Sequence, residues 1–172
     1  MGKTKWIAIW ILLAACSVSA QQAPGVEISA GYSFLRLGGS GQSQQGVSVS
    51  VTGNVNNWLG IVGDLGGYHN SPNGGTLTTN TFLFGPRFSA RKGRVAPFVQ
   101  MLVGGAHLHA AANGETAGTT PFALSVGGGA QFELFKHFAL RPQVDYIGMR
   151  SGGQTGNSAR VSLGLVFPFH ER

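Results

Sequence analysis

This chain of 172 residues is poor in charge, with 10% charged residues, and rich in glycine, with 28. Average globular domains carry about 25% charged residues and about 7% glycine, so the composition argues against a soluble enzyme. The formal net charge of +6 falls to +4 once the two lysines of a predicted export segment are set aside. That charge is too mild to imply nucleic acid as a partner.

Met1–Ala20 is typical of a secretory signal peptide, with a basic start, an apolar core at Trp6–Ala15 and a cleavage site at Val18-Ser19-Ala20. We therefore predict a signal peptide over residues 1–20 and a single domain over residues 21–172. A second interpretation stays open, because Leu13-Ala14-Ala15-Cys16 is similar to a lipobox whose cysteine is lipidated. Cys16 is the only cysteine, so its removal with the signal would leave no disulfide.

Beyond residue 20, no apolar run reaches the about 20 residues of a membrane-spanning helix, whereas apolar residues alternate with small or charged ones. This period of two predicts β-strands. The predicted strands are Val26–Leu35, Gly46–Gly53, Trp58–Tyr68, Leu77–Ala90, Val95–Leu108, Pro121–Leu134, Phe138–Met149 and Ser158–Phe169. The sequence therefore predicts an all-β fold with an even number of strands.

The predicted connections alternate between short and long. The short ones are Asn54–Asn57, Arg91–Arg94 and Phe135–His137, and the long polar ones are Arg36–Gln45, His69–Thr76, Ala110–Thr120 and Arg150–Asn157. Short turns on one side and long loops on the other are typical of an outer-membrane barrel. We predict an eight-stranded antiparallel up-and-down transmembrane β-barrel, exported by a Sec-type signal to the bacterial outer membrane.

The strand faces indicate the surrounding medium. In the first strand Ile28, Tyr32 and Phe34 oppose Glu27 and Ser33. A soluble barrel would place the apolar face inside, so period alone does not decide between the two media. The polar face carries mostly Ser, Gly, Thr and Gln, which is too little charge for a soluble exterior but suits a narrow lumen.

Seven charged residues are predicted to face this lumen as structural ion pairs, because a lone charge there would be desolvated at a cost of several kcal/mol. They are Glu27, Asp64, Arg87, Glu133, Arg141, Asp145 and Arg160. Folding the hairpins predicts the pairs Glu133 with Arg141 and Asp145 with Arg160. Asp64 and Arg87 share a hairpin out of register, so other partners or water are expected for them. The network could act as a gate or as a static plug, and we favour the plug.

Four stretches carry a resemblance: Trp58-Leu59-Gly60, Ala96-Pro97-Phe98-Val99, Leu140–Tyr146 and Arg160–Phe167. With this topology the chain resembles the small OmpA-like family of outer-membrane β-barrels, represented by its barrel domain alone. The resemblance implies a surface protein of a double-membraned, Gram-negative bacterium. It also implies that a terminal aromatic residue, here Phe169, helps the barrel-assembly machinery recognise the last strand.

The residues indicate no catalytic, cofactor-binding or metal site. His69, His107 and His109 end strands at the outer rim, but no acid lies near in sequence to orient a catalytic imidazole. Two histidines of His107-Leu108-His109 are too few for a metal centre.

We predict a non-enzymatic structural or adhesive protein that works through its outer loops, with a narrow pore and a lipid-modifying enzyme as alternatives. The expected partners are outer-membrane lipids, lipopolysaccharide and the assembly machinery, around a monomer. Arg91, Lys92, Arg94 and Lys136 fall in turns and could equally meet anionic lipid headgroups.

Overall fold

The computed structural model of the protein describes residues 25–38, 41–71, 76–112, 115–135, 138–151 and 154–169. The predicted signal peptide with Cys16, as well as Lys136, lies outside these residues. The described residues form nine β-strands: β1 Val26–Leu37, β2 Ser43–Asn54, β3 Leu59–Asn70, β4 Thr76–Ser89, β5 Val95–Ala112, β6 Glu115–Thr119, β7 Phe122–Phe135, β8 Phe138–Ser151 and β9 Gln154–Phe169. No helix in this part of the chain is long and apolar enough to cross a membrane.

The strands pair antiparallel with their neighbours, and the ring closes because β1 pairs with β9 and β4 pairs with β5. β6 and β7 both pair with β5 in one continuous register, from Ala112 opposite Glu115 down to Val95 opposite Phe132. They therefore form a single wall strand that is interrupted at Thr120 and Pro121. The predicted closed eight-stranded antiparallel barrel is confirmed.

The register fixes how far the strands are staggered. Following opposite residues once around the wall from Val99 on β5 leads back to the same strand at His109, ten residues further along. The path passes through Gly128, Val144, Val161, Phe34, Gln45, His69 and Thr78. Such a stagger in eight strands implies a strand tilt of about 40° and an interior that side chains fill.

Alternation divides the residues into two faces. Along β1 the even-numbered Ile28, Tyr32 and Phe34 are exposed, whereas Glu27 and Ser33 are buried. The exposed face carries large apolar residues on every strand of the barrel except β6. This arrangement is the inverse of a soluble barrel, because the apolar side chains look outward and the polar ones are enclosed.

The strands extend further at the loop end than the sequence predicts. β2 begins at Ser43 instead of Gly46, and the predicted loop Ala110–Thr120 contains the end of β5 and all of β6. These segments are rich in Gly, Ser, Thr and Ala, so they lack the apolar alternation on which the strand prediction depends. Backbone pairing needs no apolar side chain, and it continues beyond the lipid-facing band.

The turns at the opposite end are tight. Asn56 Oδ1 accepts hydrogen bonds from the backbone N–H groups of Trp58 and Leu59 at 3.0 and 2.8 Å, which fixes the β2–β3 turn. In the β4–β5 turn, Gly93 has φ of 61°, a conformation that favours glycine. The short connections therefore gather at one end of the barrel.

Candidate functional site

The turn end of the lumen is closed by Glu27 on β1. Its Oε1 lies 2.7 Å from Arg91 Nη2 and its Oε2 lies 2.6 Å from Arg141 Nη2. Asn54 Nδ2 also donates to Oε1, at 3.2 Å. One carboxylate thus joins the β4–β5 turn to β8 across the mouth of the barrel.

The middle of the lumen is organised around Arg160 on β9. Its Nε donates to Asp145 Oδ2 at 2.8 Å and its Nη1 donates to Asp64 Oδ1 at 2.6 Å. Asp145 and Arg160 are opposite residues in the β8–β9 register, whereas Asp64 reaches Arg160 from β3, across the lumen. Gln143 and Gln100 also donate to Asp145, at 2.8 and 3.1 Å.

Arg87 on β4 lies between the two groups and is held by hydrogen bonds to uncharged side chains. Its Nε and Nη2 donate to Gln100 Oε1 at 3.1 and 2.8 Å, and its Nη1 donates to Thr52 Oγ1 at 3.1 Å. The guanidinium also lies over the Phe98 ring, 4.5 Å from its centroid, and that of Arg141 lies 5.5 Å from the same centroid. A cation over an aromatic face is attracted by the ring quadrupole, so Phe98 helps to hold two arginines close together.

The structure departs from two of the expectations. Glu133 is exposed and lies opposite Ala139, next to a register shift at the end of β7. Its predicted place beside Arg141 is taken by Gln131, whose Oε1 accepts from Arg141 Nη2 at 2.6 Å. Glu133 is therefore wrongly placed in the lumen by the sequence. Arg91, one of the turn residues for which lipid headgroups were an open alternative, turns inward to Glu27.

Glycine makes room for this network on β7. A Cβ on Gly127 would lie 2.1 Å from Asp145 Oδ1, and one on Gly129 would lie 3.1 Å from the Phe98 ring. Side chains at these two positions would therefore displace the carboxylate or the ring. Gly127 and Gly129 also let β8 approach closely, because their Cβ atoms would lie 2.5 Å from Val144 O and 2.2 Å from Pro142 O.

An apolar cluster that the sequence does not predict packs against the charged network, and most of it lies nearer the loops. Its buried residues are Leu35, Val62, Tyr68, Leu83, Leu102, Ala106, Ala123, Ile147 and Met149. Tyr68 links the two layers, because its hydroxyl accepts from Arg160 Nη1 at 3.3 Å. The signal for this cluster is parity: Leu35 has the same odd-numbered parity as Glu27, so it belongs to the inward face although it is apolar. The lumen is therefore ionic towards the turns, whereas towards the loops it holds apolar and uncharged polar side chains, the latter including Gln44, Thr79 and Thr81.

The outer rim carries the three histidines on its exposed face. His69, His107 and His109 all alternate outward, and none has an acidic hydrogen-bond partner among the described contacts. Among the described residues no group of three or more metal-ligating side chains comes together. This arrangement offers a polar belt at the rim, and no described contact places an acid beside an imidazole.

The whole barrel is similar to a known protein family. The family model described as "Outer membrane protein beta-barrel domain" matches residues 8–169. The chain belongs to this outer-membrane barrel family. The resemblance inferred from the sequence is thus confirmed, and members of this family are bacterial outer-membrane proteins.

Several solved barrels of this kind share the fold. Neisserial surface protein A aligns with a TM-score of 0.71 and 17% identity, covering 84% of this chain and 97% of that one. Ail, the attachment invasion locus protein of Yersinia pestis, gives 0.65 and 18%, covering 86% and 99%. The N-terminal barrel domain of Pseudomonas aeruginosa OprF gives 0.57 and 17%, covering 86% and 100%. No curated protein matches the sequence. At these identities the outer-membrane barrels share a fold with this chain, and the fold alone does not assign a function.

Proposed function

We propose that this outer-membrane barrel is a non-enzymatic, non-conducting protein, either an adhesin that acts through its loop end or a structural support of the envelope. The observation that carries the proposal is the length of β5. On its outward face, apolar residues run from Val95 to Val103 and are followed at the rim by His107 and His109. The strand nevertheless continues to Ala112 and pairs with β6.

The dimensions support a hairpin that stands clear of the lipid. A strand tilted by about 40° rises about 2.5 Å per residue along the barrel axis. Val95–Val103 then spans about 20 Å, close to the about 25 Å apolar band of such barrels. The segment His107–Ala112, which lies beyond this band, is about 13 Å long. A rigid projection on a closed scaffold is suited to binding at the cell surface.

The filled lumen supports a protein that does not conduct. The inward side chains at both levels are buried, from Glu27 and Arg141 at the turn end to Leu102 and Ile147 nearer the loops. An ion entering from the loop end would meet the apolar cluster, where it would be desolvated without a counterion. Reconstitution in planar bilayers should therefore give no current steps above background, and a regular unitary conductance would contradict this part of the proposal.

The experiment for the loop end removes the projection and keeps the barrel. Residues 110–117 are replaced by Asn-Gly, which joins His109 to Gly118 in a two-residue hairpin turn, and the control replaces the same eight residues by a Gly/Ser segment of equal length. Bacteria expressing the full chain should attach to cultured cells or matrix proteins more than vector controls, and both variants should lose attachment while their barrels stay heat-modifiable on gels.

Attachment that survives both replacements would refute adhesion through this hairpin. If the full chain gives no attachment above vector, the structural branch predicts greater sensitivity to detergent and large antibiotics when the chain is deleted, restored by either hairpin variant. The proposed partners are outer-membrane lipids, lipopolysaccharide and, during insertion, the barrel-assembly machinery. For the last of these, Phe169 lies exposed at the end of β9, where the C-terminal strand pairs with β1.

A further inference from the structure

Three imidazoles form one patch on the outward face at the loop end. His69 on β3 is opposite Thr78 on β4, and Thr78 is opposite His109 on β5. His107 lies two residues before His109 and has the same outward orientation. We call His69, His107 and His109 the imidazole patch, which extends over three adjacent strands.

Neutral groups hold the rings of His69 and His107. His69 Nδ1 is 3.4 Å from Thr78 Oγ1 and its Nε2 is 3.1 Å from Ser71 Oγ, while His107 Nδ1 is 2.8 Å from Thr120 Oγ1. The rings of His107 and His109 both come within 3.9 Å of the point that a Cβ on Gly118 would occupy. These two rings therefore lie side by side, in space that glycine leaves open.

Among the side chains that the structure describes, the nearest charged ones on the outward face at this end are positive. Arg36 on β1 and Arg150 on β8 are exposed on the outward face towards the same end, one on each side of the patch. The neighbouring outward positions on β2 and β4, Gln45 and Asn80, are uncharged. Glu115 lies opposite Ala112 at the tip of the β5–β6 hairpin. Asp64 and Asp145 are enclosed in the lumen and engaged by Arg160.

Directly beneath the patch begins the apolar band. Leu65, Phe82 and Phe84 on β3 and β4 are exposed and apolar, and the Phe82 ring covers Gly105, two residues before His107. Side chains just above the apolar band lie at the level of lipid headgroups. The most abundant anionic group at that level is phosphate, which complements an imidazolium in charge and accepts its hydrogen bonds.

We propose that the imidazole patch binds phosphate-bearing lipid headgroups of the surrounding leaflet, and that this binding tightens on acidification. Imidazole is the side chain that ordinarily gains a proton between pH 8 and pH 5, and each basic residue close to an anionic membrane surface strengthens association severalfold. The inference rests on the proposed function only in that the barrel must lie in a lipid bilayer. It makes the lipid contacts of this one face dependent on pH.

The test measures lipid selectivity around the folded protein in nanodiscs. Electron spin resonance of spin-labelled lipids gives the association of phosphatidylglycerol relative to phosphatidylcholine at pH 7.5 and pH 5.5. Both lipids are phosphodiesters whose phosphate charge stays constant over this range, so a change in selectivity reports on the protein. For the unaltered chain we expect the preference for phosphatidylglycerol over phosphatidylcholine to rise about fivefold at the lower pH. This is the effect expected of about one added positive charge near the membrane surface.

The decisive variant carries His69→Gln, His107→Gln and His109→Gln, and its selectivity should be the same at both pH values. The matched control, Gln45→Asn with Asn80→Gln and Asn157→Gln, changes three polar rim residues and should keep the full pH response. A response that persists in the histidine variant, or that is missing from the unaltered chain, overturns the inference. So does loss of the response when chloride is exchanged for inorganic phosphate at equal ionic strength, because the patch would then bind free phosphate. A chain that does not insert as a heat-modifiable barrel would overturn the proposed function instead.

Discussion

Arg160 is the residue whose loss should most clearly reveal how the lumen is held together. In the Arg160→Met variant, Asp64 and Asp145 lose a cation that lies 2.6 and 2.8 Å from them. The side chains of the two carboxylates are only 6% and 0% exposed. Two enclosed negative charges would then remain without a counterion between them.

The expected loss of stability depends on the hydrogen bonds that the two carboxylates keep in the variant. Removing one partner of a buried ion pair costs about 3–5 kcal/mol, and two carboxylates lose a partner here. Gln100 and Gln143 still donate to Asp145, so the loss should fall mainly on Asp64. We expect the free energy of unfolding to decrease by about 4 kcal/mol. The variant that also carries Asp64→Asn and Asp145→Asn keeps the shape of the cluster without its charges and should recover most of that loss.

The measurement is reversible urea unfolding in lipid vesicles, followed by tryptophan fluorescence and checked by heat-modifiable migration on gels. A loss below about 1 kcal/mol in Arg160→Met would refute the view that these carboxylates depend on a buried cation. Equal instability of Arg160→Met and the fully neutralised variant would refute it too, because the cost would then come from packing and not from charge.

Three further predictions concern the wall, the lipid face and the apolar cluster. Gly127→Ala should prevent formation of the heat-modifiable barrel, since its Cβ would lie 2.1 Å from Asp145 Oδ1, whereas Gly63→Ala, which meets nothing within 4 Å, should fold normally. Leu163→Arg, on the lipid face of β9, should lower the free energy of unfolding by about 2–4 kcal/mol and Asn157→Arg near the rim by no more than about 1 kcal/mol; similar losses in vesicle unfolding would contradict the lipid-facing assignment. Replacing Leu35, Leu102 and Ile147 together by Ser should admit water and produce bilayer current steps absent from the parent, and silence in a folded variant would show that the charged layer alone seals the lumen.

The sequence predicts the strands of this barrel better than the contacts among the side chains that fill its lumen. Alternation identifies strands wherever large apolar residues mark one face, as at Ile28 and Phe34. It fails at Ser43–Gln45 and in β6, where pairing depends only on the backbone and the side chains are small or polar. The ends of strands that stand outside lipid have no reason to be apolar, and the sequence signal stops with the membrane.

Ion pairs in the lumen could be predicted from the sequence only where the two residues belong to the same hairpin. Asp145 and Arg160 are opposite each other in one register, so chain order alone brings them together. Glu27 meets Arg91 and Arg141, and Asp64 meets Arg160, because the stagger of the closed barrel brings distant strands to one level. That stagger is a property of the whole ring, and no single hairpin carries it.

The interruption at Thr120 and Pro121 has a consequence for engineering. The strand above it keeps the register of the strand below, yet Pro121 offers no N–H to the wall, and Ala106 donates to its carbonyl oxygen at 3.1 Å. The upper hairpin pairs with β4 as far as Ala111, so only its tip at Ala112 and Glu115 lies beyond the closed ring. Foreign peptides spliced between Ala112 and Glu115 could be displayed on living cells while the transmembrane part keeps its geometry.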